Sequence, residues 1–539
     1  MDQSTQEDQK SQEWERLALK LLKGKPLSSL NQTLLSGLTT KVVYASRPTV
    51  TRSVYRQDER WRDVVVSGRI DGRFQHKKRW LEQSSDGLGI VRMLTDDRNK
   101  VQRASRIEVL DMEMKSIEQW SRSGLGTLHC DPFALVLLDV HTESGVSESV
   151  LQDSVRILRT QEGAHPITID ASLIHGMGGS AQEELLWVLL SLSQLLKWGC
   201  LDWSSIWLQL ALDADIVQNT VKVRALRQLM QGMAAQRSDV VGSPFVNGET
   251  SLRMFTLADS HNNMLRSLYA AVGGIWGGTD GISIHGYDVL SNSSRQAHRI
   301  AQNVHRVLDE ESGLGNWLDP MFGGYEVETQ TQALCEQVWS EFCMLEETGG
   351  ILNLLSGEGW LNRLTRVQSE RHHLIATQQR FITGVTAFAD ANEQIGNDWL
   401  SHIQPQFVRD AQPIEQLRAM AGQMSGVKIQ VYCLGALSEY KPRLDFLQQW
   451  LAVVGWKAEI VEAVSALNGD LRCVVGTEVM YQQELDGILE VLLSIQGSVW
   501  VVGNGTNLEH ENLTRIRRGL NQLSIWNRVF QQMTVGGDQ

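Results

Sequence analysis

The chain has 539 residues, 42% of them hydrophobic and 21% charged, with only nine prolines. Fifty Lys and Arg against 63 Asp and Glu leave a net charge of −13, which argues against a nucleic-acid binder. A length equivalent to roughly two to four domains excludes peptide and small-scaffold classes, and the ordinary composition excludes long disordered tracts.

The first eight residues are polar and acid-rich, without the basic flank and apolar core of a secretory signal. The six cysteines are scattered and form no CxxC pair. A reduced, cytoplasmic protein is the simplest expectation. Trp14 to Lys23 is predicted to be a helix with Trp14, Leu17, Leu21 and Leu22 on one face, stopped by Gly24 and Pro26. Residues 1–40 are read as an N-terminal extension.

From 41 to 390, short β-rich runs such as Phe133 to Asp139 and Pro166 to Asp170 alternate with helical patterns, which predicts a parallel α/β architecture. The most apolar stretch, Leu185 to Leu196, is broken by Ser191, Ser193 and Gln194 and followed by Lys197, so it reads as a buried helix and not a membrane span. That helix, from Glu183, has Glu183 and Glu184 in its first turn, Lys197 in its last and Gly199 just beyond. Asp202 reads as the N-cap of the next helix, and Asp259 as the cap of one ending at Gly273-Gly274. Arg295 to Glu310 is a further helix, with Ala297, Ile300, Ala301, Val304 and Leu308 facing inward.

Residues 391–426, with Pro405 and Pro413, read as a linker. From 427 to 539, strands at Val427–Leu434, Arg472–Gly476 and Ser498–Gly503 and a helix at Arg443–Val454 predict a flavodoxin-like doubly wound unit.

Four glycine-rich stretches, at Gly176 to Gly179, Gly273-Gly274, Gly277 to Thr279 and Gly323-Gly324, are either ligand-approach turns or simple βα turns. His175 follows a predicted strand, where a parallel barrel exposes its catalytic face. His298 and His305 are expected on the solvent side or rim of their helix, and His372-His373 lacks an acidic partner at ligand spacing. No metal site and no GxSxG elbow are expected.

The stretch Asp259 to Arg266, then Gly277-Gly278-Thr279, Arg299 to Asn303, Glu310-Glu311-Ser312, Asp319 to Tyr325 and Glu346 to Gly350, resembles the methylmalonyl-CoA mutase family. Upstream, Gly178 to Leu185 and Lys222 to Ala225 fit the same pattern, so the resemblance covers about residues 160–390. It implies a (β/α)8 TIM-type barrel followed by a flavodoxin-like, cobalamin-binding-type domain. It also implies adenosylcobalamin chemistry, in which an adenosyl radical takes hydrogen from the acyl group of a CoA thioester.

The chain departs from the catalytic pattern. The DxHxxG of a working cobalamin domain, whose His ligates cobalt and whose Asp orients that His, is replaced by Ser438, Tyr440 and Arg443. The barrel histidine of catalytic members aligns with Leu173, two residues before His175. Their tyrosine aligns with Val66, or in a competing register with Val54 beside Tyr55, and a Gly-Thr-x-Gln-Asn segment is replaced by Asp139 to Gly145. The segment from Cys433 to Phe446 resembles the small, non-catalytic subunit of heterodimeric mutases, and Glu13 to Pro26 followed by Gly37 to Tyr44 resembles the mutase N-terminal extension, which in the heterodimers packs against the partner subunit.

The resemblance therefore implies a degenerate cobalamin-type domain, no catalytic residue and no cofactor on this chain. Adenosylcobalamin and the acyl-CoA would be bound by a catalytic large subunit. Glu184, Gly277, Gly278, Glu311, Gly323 and Gly324 are the candidates for a vestigial pocket: if a ligand is kept, Glu311 and the Gly277-Gly278 turn should line a cavity on the C-terminal face of the barrel, and if only structure is kept, Gly277-Gly278, Glu311 and Gly323-Gly324 are turns, a capped helix end and a tight loop of the fold. The alternatives are a divergent acyl-CoA mutase active by itself, with His175 or Tyr55 serving the site, and a CoA- or nucleotide-binding regulatory protein.

Overall fold

The computed structural model describes residues 13–33, 38–41, 44, 62–67, 88–93, 106–109, 128–129, 131–138, 148–159 and 167–535, apart from 292–293, 317–318, 396–406, 425, 496 and 506–507. Two compact units emerge: Met1–Arg253, Met264–Val289 and Ser293–Gln368, and then Met254–Asn263, Leu290–Asn292 and Ser369–Gln539. The fold is mixed α/β, with a parallel sheet in each unit.

In the first unit, β1 (Gln32–Thr33) and β2 (Thr39–Thr40) form a two-residue antiparallel pair. The large sheet contains β3 (Arg62–Ser67), β4 (Leu88–Met93), β5 (Arg106–Val109), β6 (Leu128–His129), β7 (Ile167–Asp170), β8 (Ile206–Leu212), β9 (Phe245–Thr250) and β10 (Gly281–Ser283). Its order is β6-β5-β4-β3-β10-β9-β8-β7, so the first of the eight strands lies beside the last. All seven residues of β8 are buried, as a strand covered on both faces requires.

Helices follow the strands. Pro132–Leu138 is helix α1, where the apolar run from Phe133 had predicted a strand. The reason lies in Asp131, whose Oδ1 accepts from Phe133 N at 2.9 Å and Ala134 N at 3.0 Å and so starts a helical turn. The other oxygen accepts from Asp170 N at 2.7 Å and Trp187 Nε1 at 3.2 Å, fastening α1 to the end of β7.

After β7 come α2 (Ala171–Gly176) and α3 (Ala181–Lys197). Ser180 caps α3, with Glu183 Oε2 accepting from Ser180 N at 2.8 Å. Its C-terminus closes through Gly199 at φ 77°, with Gly199 N donating to Leu196 O and Cys200 N to Leu195 O. Leu185 to Leu190 are all fully buried, as read from the sequence. Asp202 caps a short 3-10 turn, Trp203–Ser205, by accepting from Ser204 N at 3.0 Å.

Helix α4 is Ile216–Ala235 and α5 is Asn262–Gly277. Gly273-Gly274 therefore lies inside α5 and does not end it. A Cβ on Gly273 would sit 2.8 Å from Asn219 Cβ and Ile216 O, so the small residue serves helix packing there. Asp259 stands three residues ahead of α5 at φ 47° and bonds the Asn262 side chain, so it does not occupy the cap position.

Helix α6 (Arg295–Arg306) continues into a π-turn, Val307–Glu311, and buries Ala297, Ala301 and Leu308 as expected. It also buries His305, which had been expected at the solvent side. Helix α7 is Tyr325–Glu347.

In the second unit, α8 (Gln412–Gln423) occupies part of the span read as a linker and buries Ile414, Leu417 and Ala421. The sheet is built from β11 (Ile429–Cys433), β12 (Glu459–Val461), β13 (Leu471–Val475), β14 (Ser498–Val502) and β15 (Leu513–Ile516), in the order β12-β11-β13-β14-β15. Helix α9 (Leu437–Val453) begins before Pro442, not after it, because Glu439 Oε2 accepts from Ala436 N at 2.8 Å and sets the first turn. With α10 (Gln522–Val535) it encloses a tryptophan core in which Trp500 lies 6.2 Å edge-on to Trp450 and 4.9 Å from Trp526. Trp456 lies edge-on to Trp526 at 5.6 Å.

Residues 13–21 are helical, with Trp14, Leu17 and Leu21 exposed. Among the described residues, no helix is long and apolar enough to cross a membrane.

Burial pushes the Asp131 carboxyl up to about 6 from its ordinary 3.8, against the four donors that pull it down. Between those values the folded chain holds a proton that the unfolded chain has released. The stability from this group is therefore complete below about pH 4 and falls as the pH rises to about 6. Urea midpoints measured across that window should decline with pH in the wild type and stay flatter in Asp131→Asn, which should also cost about 1–3 kcal/mol. Two parallel profiles would exclude Asp131 as the source of the slope.

Candidate functional site

Ligands of parallel α/β sheets sit beyond the carboxyl ends of the strands, so the polar side chains gathered there define the candidate site. In the first unit, two buried clusters meet that condition. One grows from the period-2 alternation of the strands. Gln209 of β8 stands in register with Asn247 of β9, and Glu249 of β9 with Ser283 of β10. Asn247 Nδ2 donates to Gln209 Oε1 and to Ser283 Oγ, each at 2.9 Å, and Gln209 donates to Glu249. Just past β10, His285 Nε2 lies 2.5 Å from Glu249 Oε1, and its backbone N donates to Thr250 Oγ1 at 2.9 Å. A buried carboxylate bonded to a histidine ring nitrogen fixes the ring's orientation and tautomer. At the other end of the same face, Trp207 stacks on Phe245 at 4.4 Å and donates from Nε1 to Gln209 at 3.0 Å.

The second cluster centres on Glu184, which is wholly buried in the first turn of α3. Its Oε1 lies 2.7 Å from Lys222 Nζ and 2.9 Å from His175 Nδ1, and its Oε2 accepts from Ala211 N at 3.1 Å. Lys222 also donates to Ala211 O. Burial pushes the Glu184 carboxyl above its ordinary value, and Lys222 is the main force opposing that. Arg253 Nη1 donates to His175 O at 2.7 Å and Gly179 O at 2.8 Å, and its Nη2 lies 3.3 Å from Asp213 Oδ2. The cluster bolts the ends of β7 and β8 to α2, α3 and α4.

The six sequence-derived pocket candidates do not come together. Glu184 lies in the second cluster. Gly277 ends α5 and Gly278, at φ 92°, precedes β10, so this turn is at the amino edge of the sheet and not at the carboxyl edge where it had been expected. The reason is that α5 runs back along the strands before β10 begins. Its carbonyl is already used: Arg227 donates to Gly278 O from Nε at 2.8 Å and Nη2 at 2.6 Å. A Cβ on Gly277 would lie 2.6 Å from Val223 Cβ, so that glycine permits helix contact. Gly323 and Gly324 form the turn into α7, where Gly323 N donates to Glu328 Oε1 at 3.1 Å beside the buried Arg224, itself paired with Glu328 and with Asp319 at 2.6 Å. Glu311 is exposed on the π-turn after α6.

Strand alternation in Phe245 to Thr250 and Gly281 to His285 is the signal that could have revealed Asn247, Glu249, Ser283 and His285, which the sequence reading passed over. His175, expected to follow a strand at the catalytic face, follows β7 within α2, buried and tied to Glu184. Leu173 is buried in the same helix. Val54, Tyr55 and residues 139–145 lie outside the described residues, and of Val66 only its place in β3 is described.

In the second unit, Ser438 is exposed, Tyr440 packs against the tryptophan core, and Arg443 is bonded to Gly476 O and Glu478. None of the three offers an imidazole. Among the described residues, no group of three His, Cys, Asp or Glu side chains could hold a metal ion.

Removing one partner of a buried ion pair strands the other charge, at a cost of about 3–5 kcal/mol. Glu184→Gln and Lys222→Met should each lower stability by about that amount, and the double variant by clearly less than the sum, as urea midpoints would show. Simple additivity would mean that the two are not coupled.

Comparison with known proteins places these features in context. The family model described as Methylmalonyl-CoA mutase matches residues 161–471. A "Probable methylmalonyl-CoA mutase small subunit" from Mycobacterium bovis is 30% identical over 368 residues, covering 61% of this chain and 58% of that protein. The "Methylmalonyl-CoA mutase small subunit" of Streptomyces virginiae is 26% identical and covers 70% of this chain and 66% of its own length. The protein of the same name from Propionibacterium freudenreichii subsp. shermanii is 26% identical, at 66% and 60%. This chain thus spans 58% of the length of the mycobacterial relative. With a family match over more than half of its residues, the chain belongs to the methylmalonyl-CoA mutase family.

Proposed function

We propose that this chain is a small, non-catalytic subunit of an adenosylcobalamin-dependent methylmalonyl-CoA mutase. It pairs in the cytoplasm with a catalytic large subunit that interconverts (R)-methylmalonyl-CoA and succinyl-CoA. The observation that carries this reading is the similarity to relatives named as small subunits, which extends over most of the chain.

The geometry supports it. The eight-stranded parallel order, with the first strand β3 beside the last strand β10, supports reading the first unit as a (β/α)8-type barrel, and the order β12-β11-β13-β14-β15, which follows the pattern 2-1-3-4-5, supports reading the second as flavodoxin-like. Cobalamin needs a ligand from below the corrin, and the residues at those positions do not fit. Ser438 is exposed, Tyr440 is held by the core, and the Arg443 guanidinium, permanently protonated, cannot ligate cobalt. Leu173 stands where catalytic members carry their barrel histidine. The His175 ring is buried and shares Glu184 with Lys222 and the Ala211 amide, so it belongs to the hub that ties α2, α3, α4 and β8 together.

The Glu249–His285 pair is the feature that favours the second reading, a divergent mutase active by itself. The two readings separate in one experiment. The purified chain should leave the absorbance of adenosylcobalamin unchanged and should turn over no acyl-CoA, yet co-purify as a stable pair with a catalytic subunit carrying an intact DxHxxG. Cofactor uptake and isomerisation by the unpaired chain would overturn the proposal.

A further inference from the structure

A doubly wound unit of order 2-1-3-4-5 takes its ligand in the crevice between its first and third strands, where the loops leaving them diverge. Here those strands are β11 and β13, and the loops are residues 434–436 and 476–477. Free backbone N–H groups in such loops attract phosphates.

Four of the amides around this crevice are already used. Ala436 N donates to Glu439 Oε2 at 2.8 Å, Gly476 N to Tyr481 Oη at 2.9 Å, and Met480 N to Thr477 Oγ1 at 3.3 Å. In the loop after β14, Asn504 N donates to Glu478 Oε1 at 3.4 Å. Two of these acceptors, Glu439 and Glu478, are carboxylates, which repel a phosphate where a nucleotide-type site would attract one.

A cation fills the space instead. Arg443, on α9, donates from Nη1 to Gly476 O and from Nη2 to Glu478 Oε1 at 2.8 Å, with its guanidinium carbon 5.4 Å from the centre of the Tyr481 ring. A Cβ on Gly503 would lie 3.1 Å from both Arg443 Nη1 and Glu478 Oε1, so the pair abuts the loop after β14. Tyr481 closes the far side. Its hydroxyl donates to Val502 O at 2.9 Å, and its ring is so near Gly505 that no side chain could stand there. A carbonyl, a carboxylate and an aromatic face together match a planar cation better than a point charge.

We propose that Arg443 is a built-in occupant of this crevice, its guanidinium tying the loops after β13 and β14 to α9 in the place where a doubly wound unit ordinarily holds a phosphate-bearing ligand. The proposal deepens the non-catalytic reading above by naming what stands in for the cofactor.

The test is amide hydrogen exchange on the full chain, followed over peptides spanning 474–480 and 500–505, for the wild type, Arg443→Lys and Arg443→Ala. Arg443→Ala should speed exchange in both segments by about tenfold or more, and Arg443→Lys should recover only part of the protection. N-ethylguanidinium added to Arg443→Ala should restore protection, and ethylammonium at the same concentration should not. Unchanged exchange in Arg443→Ala would overturn the proposal, as would equal rescue by the two cations. Should Arg443→Ala fail to fold, Glu478→Gln, which weakens the hold on the same guanidinium, should speed exchange in the same two segments, and no change there would also overturn it. Cobalamin uptake or turnover by the unpaired chain is read by absorbance and assay, so failure of the subunit reading is distinguishable from failure of this one.

Discussion

A carboxylate taken wholly out of water needs counter-charge and donors from within the fold, and Glu184 draws them from three other elements. Lys222 reaches it from α4, His175 from α2, and the Ala211 amide from β8. These are the segments that frame the carboxyl ends of β7 and β8. Breaking the hub would loosen the edge where parallel sheets build their sites, and its polar neighbours are arranged around it. Arg253 reinforces the same corner by binding two carbonyls, His175 O and Gly179 O, so backbone as well as side chain is tied down. A corner this fully bonded is suited to holding shape.

Much of this was legible in advance where local rules act alone. The Gly199 stop of α3 follows from short-range hydrogen bonding, and the buried run of Leu185 to Leu190 follows from its composition. The strands of the second unit were found near their places, although β12 and β15 were missed, being short and only partly buried. Short-range caps that outweigh composition decided the failures. Phe133 to Leu138 has the residues of a strand, but Asp131 starts a helix there. The helix read from Arg443 begins at Leu437, a turn and a half earlier, because Glu439 opens α9 there.

The candidate site was harder to read for a related reason. Glycines drew attention because they permit close approach, yet Gly277 and Gly273 use that permission for helix packing. The informative pattern was the plainer alternation in Asn247, Glu249, Ser283 and His285, which assembles only when neighbouring strands come into register. Sequence spacing alone does not say which strands will be neighbours. Family motifs located the mutase-like region and singled out Ser438, Tyr440 and Arg443, but not that Arg443 would be engaged by Glu478 and Gly476.

The crowding of Tyr481 against Gly505 bears on descent as well as on shape. Restoring a histidine at one position would leave the tyrosine ring, the Glu439 and Glu478 carboxylates and the occupied amides in place, each favouring the present arrangement. With the crevice filled as proposed, opening it to a ligand would require several of these side chains to change together.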